Sequence, residues 1–374
     1  MRMSVLLTFS PYSKVLSFTA WYLCWYSHLF KGELETISMY VVDPLYTQFD
    51  GRNVIFARAL SDPECPCYGH TLEERIPDII KEGKPGYSVV DVALYEAAWT
   101  VYDTYAGAFS WERILPPGAK PELERLGQYN PGSETLTAVV KKAARFYGAS
   151  LVGISRIDHR WVYSHTREGT PIEIPNDITH AVVMAIEMDP RGIGTTPALT
   201  SSAVVGLAYS KMAFLIACMG EFMRTLGYKA IQMGNDTTLS IPLAVDAGLG
   251  ELGRHGLLIT SQLGSRVRIC KVFTDMDLVC DEPVDLGVQQ FCKTCRKCAE
   301  ACEVEAISFE EEPTFEPVCK SNNPGVLKWP IDAEKCYAYW CENGGDCATC
   351  IAVCPFTVRT GVVETTPEDF WSHL

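Results

Sequence analysis

Four cysteines spaced C-x2-C-x2-C-x3-C, namely Cys292, Cys295, Cys298 and Cys302, constrain this chain more than any other feature. A second run, Cys347, Cys350 and Cys354, reads C-x2-C-x3-C and is followed directly by Pro355. Of the 16 cysteines, ten lie between Cys292 and Cys354, and six are scattered through the 291 residues before them. A disulfide scaffold is normally a short chain with cysteines throughout. A large cysteine-poor body ahead of a cysteine-dense end points to metal instead. Closely spaced thiolates on a tight loop turn toward one centre. In two-cluster bacterial ferredoxins, three cysteines of such a run hold one [4Fe–4S] cube and the fourth reaches the other. Two structural zinc sites would use separated C-x2-C pairs, not a triplet with a crossed fourth ligand.

The second run lacks its first cysteine, and a cube needs four ligands. Cys336 and Cys341 are the candidates to complete it, with Cys336 preferred. The expected sets are Cys292, Cys295, Cys298 and Cys354 for one cluster, and Cys302, Cys336, Cys347 and Cys350 for the other. Glu303 stands where a proline is expected after Cys302, which alters a turn and removes no ligand. Cys24, Cys65, Cys67, Cys218, Cys270, Cys280 and Cys319 are expected to be packed or incidental thiols. Cys65-Pro66-Cys67 with His70 nearby imitates a metal site, but two thiols on adjacent turns rarely close a tetrahedron.

Ahead of this module the pattern is that of a mixed helix–strand body. Residues 87–111 carry apolar residues at helical spacing, among them Val89, Val92, Tyr95 and Trp99, and Pro116-Pro117-Gly118 breaks the pattern. Ser133 is a candidate N-cap for a helix whose apolar face is Leu136, Val139, Val140, Ala143 and Phe146, ending near Gly148. Residues 149–157 and 180–188 read as buried strands. A long helix spans about Ser201 to Leu226 and stops at Gly227, and 228–233 is a short strand. Residues 256–260 and 266–273 read as two further strands around a Gly264-Ser265 turn. The alternation implies an α/β layer architecture for 131–285. The expected organisation is an uncertain N-terminal segment (1–38), an aromatic-rich region (39–130), the body (131–285), a ferredoxin-like module (286–360) and a tail (361–374).

Residues Val15 to Tyr26 are apolar but too short a run to span a bilayer, and no twin-arginine pair precedes them. A signal remnant, a peripheral anchor and a true start at Met39 are equally open. The net charge of −14 repels phosphates, so no nucleic-acid partner is expected. The body contains no P-loop and no D-x-H-x-x-G motif that would supply a histidine to cobalt. From the residues alone the chain is a redox protein with an unassigned acceptor centre.

The segment from GLAYSKM through MGNDT, GELGRHG and RVRICKVF (206–276), followed by FCKTCRKCAEAC and KCYAYWCENGGDCATCIAVCPF, resembles the corrinoid- and iron–sulfur-dependent reductive dehalogenases. The likeness runs from about residue 40 to 360 and is most specific over 205–360. It implies an α/β (α+β) fold: a nitroreductase-like corrinoid-binding core joined to the two-cluster module. It also implies a base-off cobalamin with no protein ligand to cobalt, which accounts for the missing histidine motif. The family's catalytic tyrosine, asparagine and arginine fall on Tyr209 of GLAYSKM, Asn235 of MGNDT and Arg268 of RVRICKVF. The corrinoid-binding residues are not assignable from the sequence.

The chemistry gives the trio sense. Expelling halide from carbon leaves a fragment that needs a proton. A phenol is a weak acid in water, yet it donates to a carbanion-like species. A guanidinium beside it stabilises the phenolate, and the amide holds the phenol oxygen or helps bind halogen. Taken singly, each residue has a plainer account: Tyr209 a core aromatic, Asn235 a turn residue, Arg268 a solvated strand charge. Trp99, Tyr102, Tyr105 and Trp111 are candidate walls of a substrate channel, and core packing explains them equally well.

The resemblance implies a small organohalide substrate and an electron donor protein or quinol-linked chain. It also implies a small integral-membrane anchor at the outer face of the cytoplasmic membrane; the lack of a twin-arginine signal leaves a cytoplasmic location as the alternative. Two further readings remain. An epoxyqueuosine-reductase-like enzyme joins the same cofactors but acts on tRNA, and it places an aspartate where Tyr209 stands. A pure ferredoxin-type carrier does not need some 290 residues ahead of its clusters.

Overall fold

A computed structural model describes residues 40–105 and 127–374. The expectations for residues 1–38, and for Trp111 and Pro116-Pro117-Gly118, lie outside the described residues.

The body is built on a four-stranded sheet of β1 (Leu151–Arg156), β2 (His180–Glu187), β3 (Ala230–Met233) and β6 (Val267–Thr274), in the order β1-β2-β6-β3. Every pairing is antiparallel. The layered helix–strand body is thus of the α+β kind. Strand β2 is central, and seven of its eight residues are buried. Both its faces are covered, so it reads as a continuous apolar run where a half-exposed strand would alternate.

On one face Val182, Met184 and Ile186 of β2 and Cys270 and Val272 of β6 pack with Met212, Ile216 and Met219 of a long helix, Leu199–Thr225. Leu136 and Val140 of the helix Ser133–Phe146 join the same core. On the other face Ala181, Val183, Ile231 and Phe273 pack with Leu243, Ala244 and Val245 of the helix Ser240–Asp246 and with Trp161. Helices are labelled in chain order: α1 (Val89–Tyr105), α2 (Ser133–Phe146), α3 (Leu199–Thr225), α4 (Ser240–Asp246) and α5 (Ala333–Asn343). Helix α3 is long and apolar enough to cross a membrane, but 67% of its most apolar window is buried inside the protein. It is the central helix of the core.

Helix α1 lies along α3, and the contact depends on one glycine. A Cβ at Gly206 would stand 2.5 Å from Trp99 Cδ1, so only glycine lets the indole settle against α3. Gly227 ends α3 as the sequence predicts, with φ of +89°.

Two local expectations are corrected. Gly132, not Ser133, is the N-cap of α2, because the Ser133 hydroxyl is bonded to Asp277 Oδ2 at 2.5 Å. The segments 256–260 and 266–273 do not form a hairpin. Leu258–Ile259 (β5) pairs with Glu251–Leu252 (β4) in a separate two-stranded sheet, while β6 pairs with β2 and β3. Only a single bridge, Thr260 to Gly264, marks the turn.

The cysteine-rich end consists of short helices, with α5 the longest of them. It is seated on the body by polar contacts: Ser202 Oγ donates to Asp346 O at 2.9 Å, and Ser265 N donates to Thr357 Oγ1 at 3.0 Å. Ala348 and Ile351 enter the main core beside α3.

Candidate active site

Three elements bring Tyr209, Asn235 and Arg268 together. Tyr209 lies on α3 and Arg268 on β6. Asn235 sits just past β3, and the β3–β6 register, extended by two residues, carries it beside Ile269 and so next to Arg268. Asn235 Nδ2 donates to the Tyr209 hydroxyl at 3.4 Å, a long hydrogen bond, and Arg268 Cζ stands 5.3 Å from the centre of the Tyr209 ring. Trp99 of α1 stacks on Tyr209 with centroids 5.0 Å apart and planes 24° apart, and Tyr102 meets it edge-on at 5.0 Å. Those two rings fix the tyrosine from behind; neither lines the cavities described below. Tyr209 is therefore both a packed aromatic and a member of the cluster.

A second layer sets the polarity of the asparagine. Lys271 is fully buried on β6, and its Nζ donates to Gly234 O at 2.7 Å and to Ser240 Oγ at 2.9 Å. An ammonium only donates, so the Ser240 proton goes to its other neighbour, Asn235 Oδ1, 3.2 Å away. The amide is thereby turned with its NH2 toward the tyrosine oxygen. Burial pulls the Lys271 ammonium down to about 8, against the opposing charge of Asp236. Burial likewise pushes the Asp236 carboxyl up. Arg268 Nε is buried without a hydrogen-bond partner among the described residues. That is unusual for a permanent cation and marks a donor free for another group.

A cavity of about 440 Å³ opens beside this trio. Its lining includes Asn235, Ser240 and Arg268 together with Cys302, Cys336, Cys347 and Cys350, and it is mainly apolar. A smaller recess of about 100 Å³ is lined by Tyr209, Asn235 and Arg268 and shares five residues with the larger cavity. The other four expected cysteines, Cys292, Cys295, Cys298 and Cys354, line a separate small recess with Arg254 and His255. Burial and neighbouring thiolates push the Cys336 and Cys298 thiols up to about 12 and Cys292 to about 11. Such thiols remain ionised only beside a positive centre. Among the described residues no three His, Cys, Asp or Glu side chains are arranged around a single ion, as a structural zinc site would require.

Cys341 faces away from that cavity. It packs with Ala59, Cys65, Cys67 and Tyr337 in a small apolar cluster. Five residues along a helix turn a side chain about 140° from its starting direction, so Cys336 and Cys341 on α5 cannot serve one centre. Cys65 and Cys67 are buried there, while His70 is exposed and 3.7 Å from Glu74. Three residues of this region escaped sequence reasoning: Ser240, Lys271 and Arg254. Lys271 did carry a signal, since strand alternation in RVRICKVF puts it on the face of Val267, Ile269 and Phe273. Arg254 carried none.

The profile of the 4Fe-4S dicluster domain matches residues 291–358. A tetrachloroethene reductive dehalogenase of Desulfitobacterium hafniense is 37% identical over 366 residues, covering 78% of this chain and 65% of the relative. One from Sulfurospirillum multivorans is 39% identical over 252 residues, covering 59% of this chain and 50% of that one. Among solved structures, the catabolic reductive dehalogenase NpRdhA, N-terminally tagged, superposes with a TM-score of 0.62 at 25% identity, over 88% of this chain and 44% of that one. The chain thus spans less than two thirds of the length of these relatives. Spacing of the cysteines, the mixed antiparallel core and these likenesses agree: over 78% of its length the chain is similar to a tetrachloroethene reductive dehalogenase, and its cysteine-rich end matches the 4Fe-4S dicluster domain.

Proposed function

We propose that this protein removes halogen from a small organohalide reductively, R–X + 2e⁻ + H⁺ → R–H + X⁻. One observation carries the reading: Asn235 and Arg268 line the cavity that four cysteine thiols also line, and together with Tyr209 they line the recess that shares five residues with it. In this reading Cys292, Cys295, Cys298 and Cys354 hold one [4Fe–4S] cluster, and Cys302, Cys336, Cys347 and Cys350 hold the other, next to the cavity. Electrons then pass from the outer cluster to the inner one and into the site.

The cavity suits a corrinoid by its chemistry. Its walls are apolar, it adjoins the thiols of the inner cluster, and Arg268 offers a buried N–H with no partner among the described residues. Ile241, Pro242, Leu257, Val326, Ile331 and Trp340 of the lining would hold the macrocycle. When bound, a corrinoid supplies a strongly reducing cobalt able to break a carbon–halogen bond. The chain's own residues do the rest. Asn235 donates to the phenol oxygen, which leaves the Tyr209 proton free to pass to carbon. Arg268 stands against the same ring and stabilises the phenolate that remains. Apolar walls keep water from competing as the proton source.

The curated relatives are named for tetrachloroethene, which makes it the first substrate to try. The decisive experiment is anaerobic reconstitution with iron, sulfide and cobalamin, then halide release with reduced methyl viologen as donor. About eight irons, a retained corrinoid spectrum and chloride release are expected. A protein that keeps about four irons or fewer, or rejects the corrinoid, sinks the reading. A membrane-held location with a small integral anchor and a quinol-linked donor belongs to the same reading, and fractionation of cells producing the full protein tests it.

A further inference from the structure

Arg254, just past β4, is fully buried. Among the described residues all its hydrogen bonds run to main-chain carbonyls, and none to a carboxylate. Its Nε donates to Cys292 O at 3.0 Å and Cys295 O at 3.1 Å. Its Nη1 donates to Ser308 O at 2.8 Å and Glu310 O at 2.6 Å, and its Nη2 to Cys292 O at 2.5 Å and Lys293 O at 3.3 Å. Trp329 covers the guanidinium at 4.6 Å from the ring centre. Every donor is satisfied, yet the charge has no acidic partner among these contacts.

A buried cation without a counter-charge is costly, and arginine does not escape by losing its proton. Neutral carbonyls satisfy the donors but not the net charge. The bonds to those carbonyls seat the guanidinium directly against the loop that carries Cys292 and Cys295. The recess that Arg254 lines is the one lined by Cys292, Cys295, Cys298 and Cys354. Four thiolates around a cube make an anion, and reduction adds a further negative charge.

We propose that Arg254 is the built-in counter-charge of the outer cluster, raising its reduction potential while its carbonyl bonds brace the cysteine loop. A fixed cation stabilises the reduced, more negative cluster over the oxidised one, so the potential rises. Arg254 lines the recess of Cys292, Cys295, Cys298 and Cys354 and not the cavity of the other four cysteines, whose lining has its own cations in Arg268 and Lys328. Arg254 therefore acts on one cluster and acts through charge. This rests on the two-cluster reading and not on the identity of the substrate.

The test uses the full chain reconstituted anaerobically with iron and sulfide, as wild type, Arg254→Gln and Arg254→Lys. Redox titration followed by electron paramagnetic resonance reads each cluster separately. In Arg254→Gln one midpoint is expected to fall and the other to stay, while Arg254→Lys stays close to wild type. Unchanged midpoints in Arg254→Gln, an equal shift of both, or an equal loss in Arg254→Lys overturns the proposal. If Arg254→Gln fails to keep its outer cluster, Arg254→Lys decides. Restored iron with a wild-type midpoint supports a charge role, and a loss there too leaves only the brace and overturns it. A wild type without two clusters defeats the two-cluster reading instead, which keeps the failures distinct.

Discussion

Asn235 Nδ2 points at the Tyr209 hydroxyl from 3.4 Å, although 26 residues separate them in sequence and one belongs to a loop and the other to a helix. The bond makes the phenol oxygen an acceptor, so its proton is free to leave toward the recess. Tyr209→Phe removes that proton and little else, because Trp99 and Tyr102 hold the ring by its faces and edge. The variant is expected to keep its iron and corrinoid and to lose roughly 10²–10⁴-fold in halide release, the usual worth of a positioned proton donor. Full turnover in Tyr209→Phe would remove the residue from the mechanism.

The two candidate cysteines on α5 are separable by iron content. Cys336 shares a cavity with Cys302, Cys347 and Cys350, whereas Cys341 packs against Cys65 and Cys67. After anaerobic reconstitution, Cys336→Ala is expected to lose about four of about eight irons, and Cys341→Ala to keep them all. The opposite pattern would transfer the ligand role to Cys341.

Gly206 controls how closely α1 approaches α3. A methyl there meets three atoms of the Trp99 indole, at 2.5, 2.5 and 2.8 Å, so the ring must move and Tyr209 loses its stacking partner. Gly206→Ala gains helix propensity but is expected to cost about 1–3 kcal/mol through overpacking. It should also lower turnover without loss of iron. Chemical denaturation, with tryptophan emission and an iron assay alongside, reads all three effects.

Much of this arrangement was legible in the sequence because it depends on local periodicity. Six apolar residues in a row, Ala181 to Ile186, predict β2, and α3 follows from its length and its Gly227 stop. Cysteine spacing groups seven of the eight thiols and leaves the eighth open between Cys336 and Cys341. The hairpin at Gly264-Ser265 failed for a physical reason. Strands β4 and β5 are two residues long, too short to carry a period, and their pairing is settled by tertiary contacts. Arg254 was invisible because its partners are carbonyls 38 to 56 residues away, and a carbonyl has no letter in the sequence. Ser133 misled as a cap because Asp277, 144 residues distant, claims its hydroxyl.

Lys271 makes the most demanding prediction, since its role passes through two other side chains. It holds Gly234 O and Ser240 Oγ, and Ser240 in turn holds Asn235. Lys271→Met fills the space but leaves a buried carbonyl and a hydroxyl without their donor, at a cost of about 1–3 kcal/mol. The sign of its pH dependence follows from burial. The folded value of about 8 lies below the unfolded value, which is near 10.4. Between those limits the unfolded chain binds more protons than the folded one, so this group makes stability rise with pH. Its contribution is complete above the unfolded value and is lost as pH falls toward 8. Lys271→Met has no such group. Its stability deficit relative to wild type is therefore expected to widen from pH 8 to pH 10, because only wild type gains over that window. Anaerobic urea denaturation of both proteins at several pH values checks this, and a deficit that stays constant or narrows would show that Lys271 keeps an ordinary ammonium in the fold.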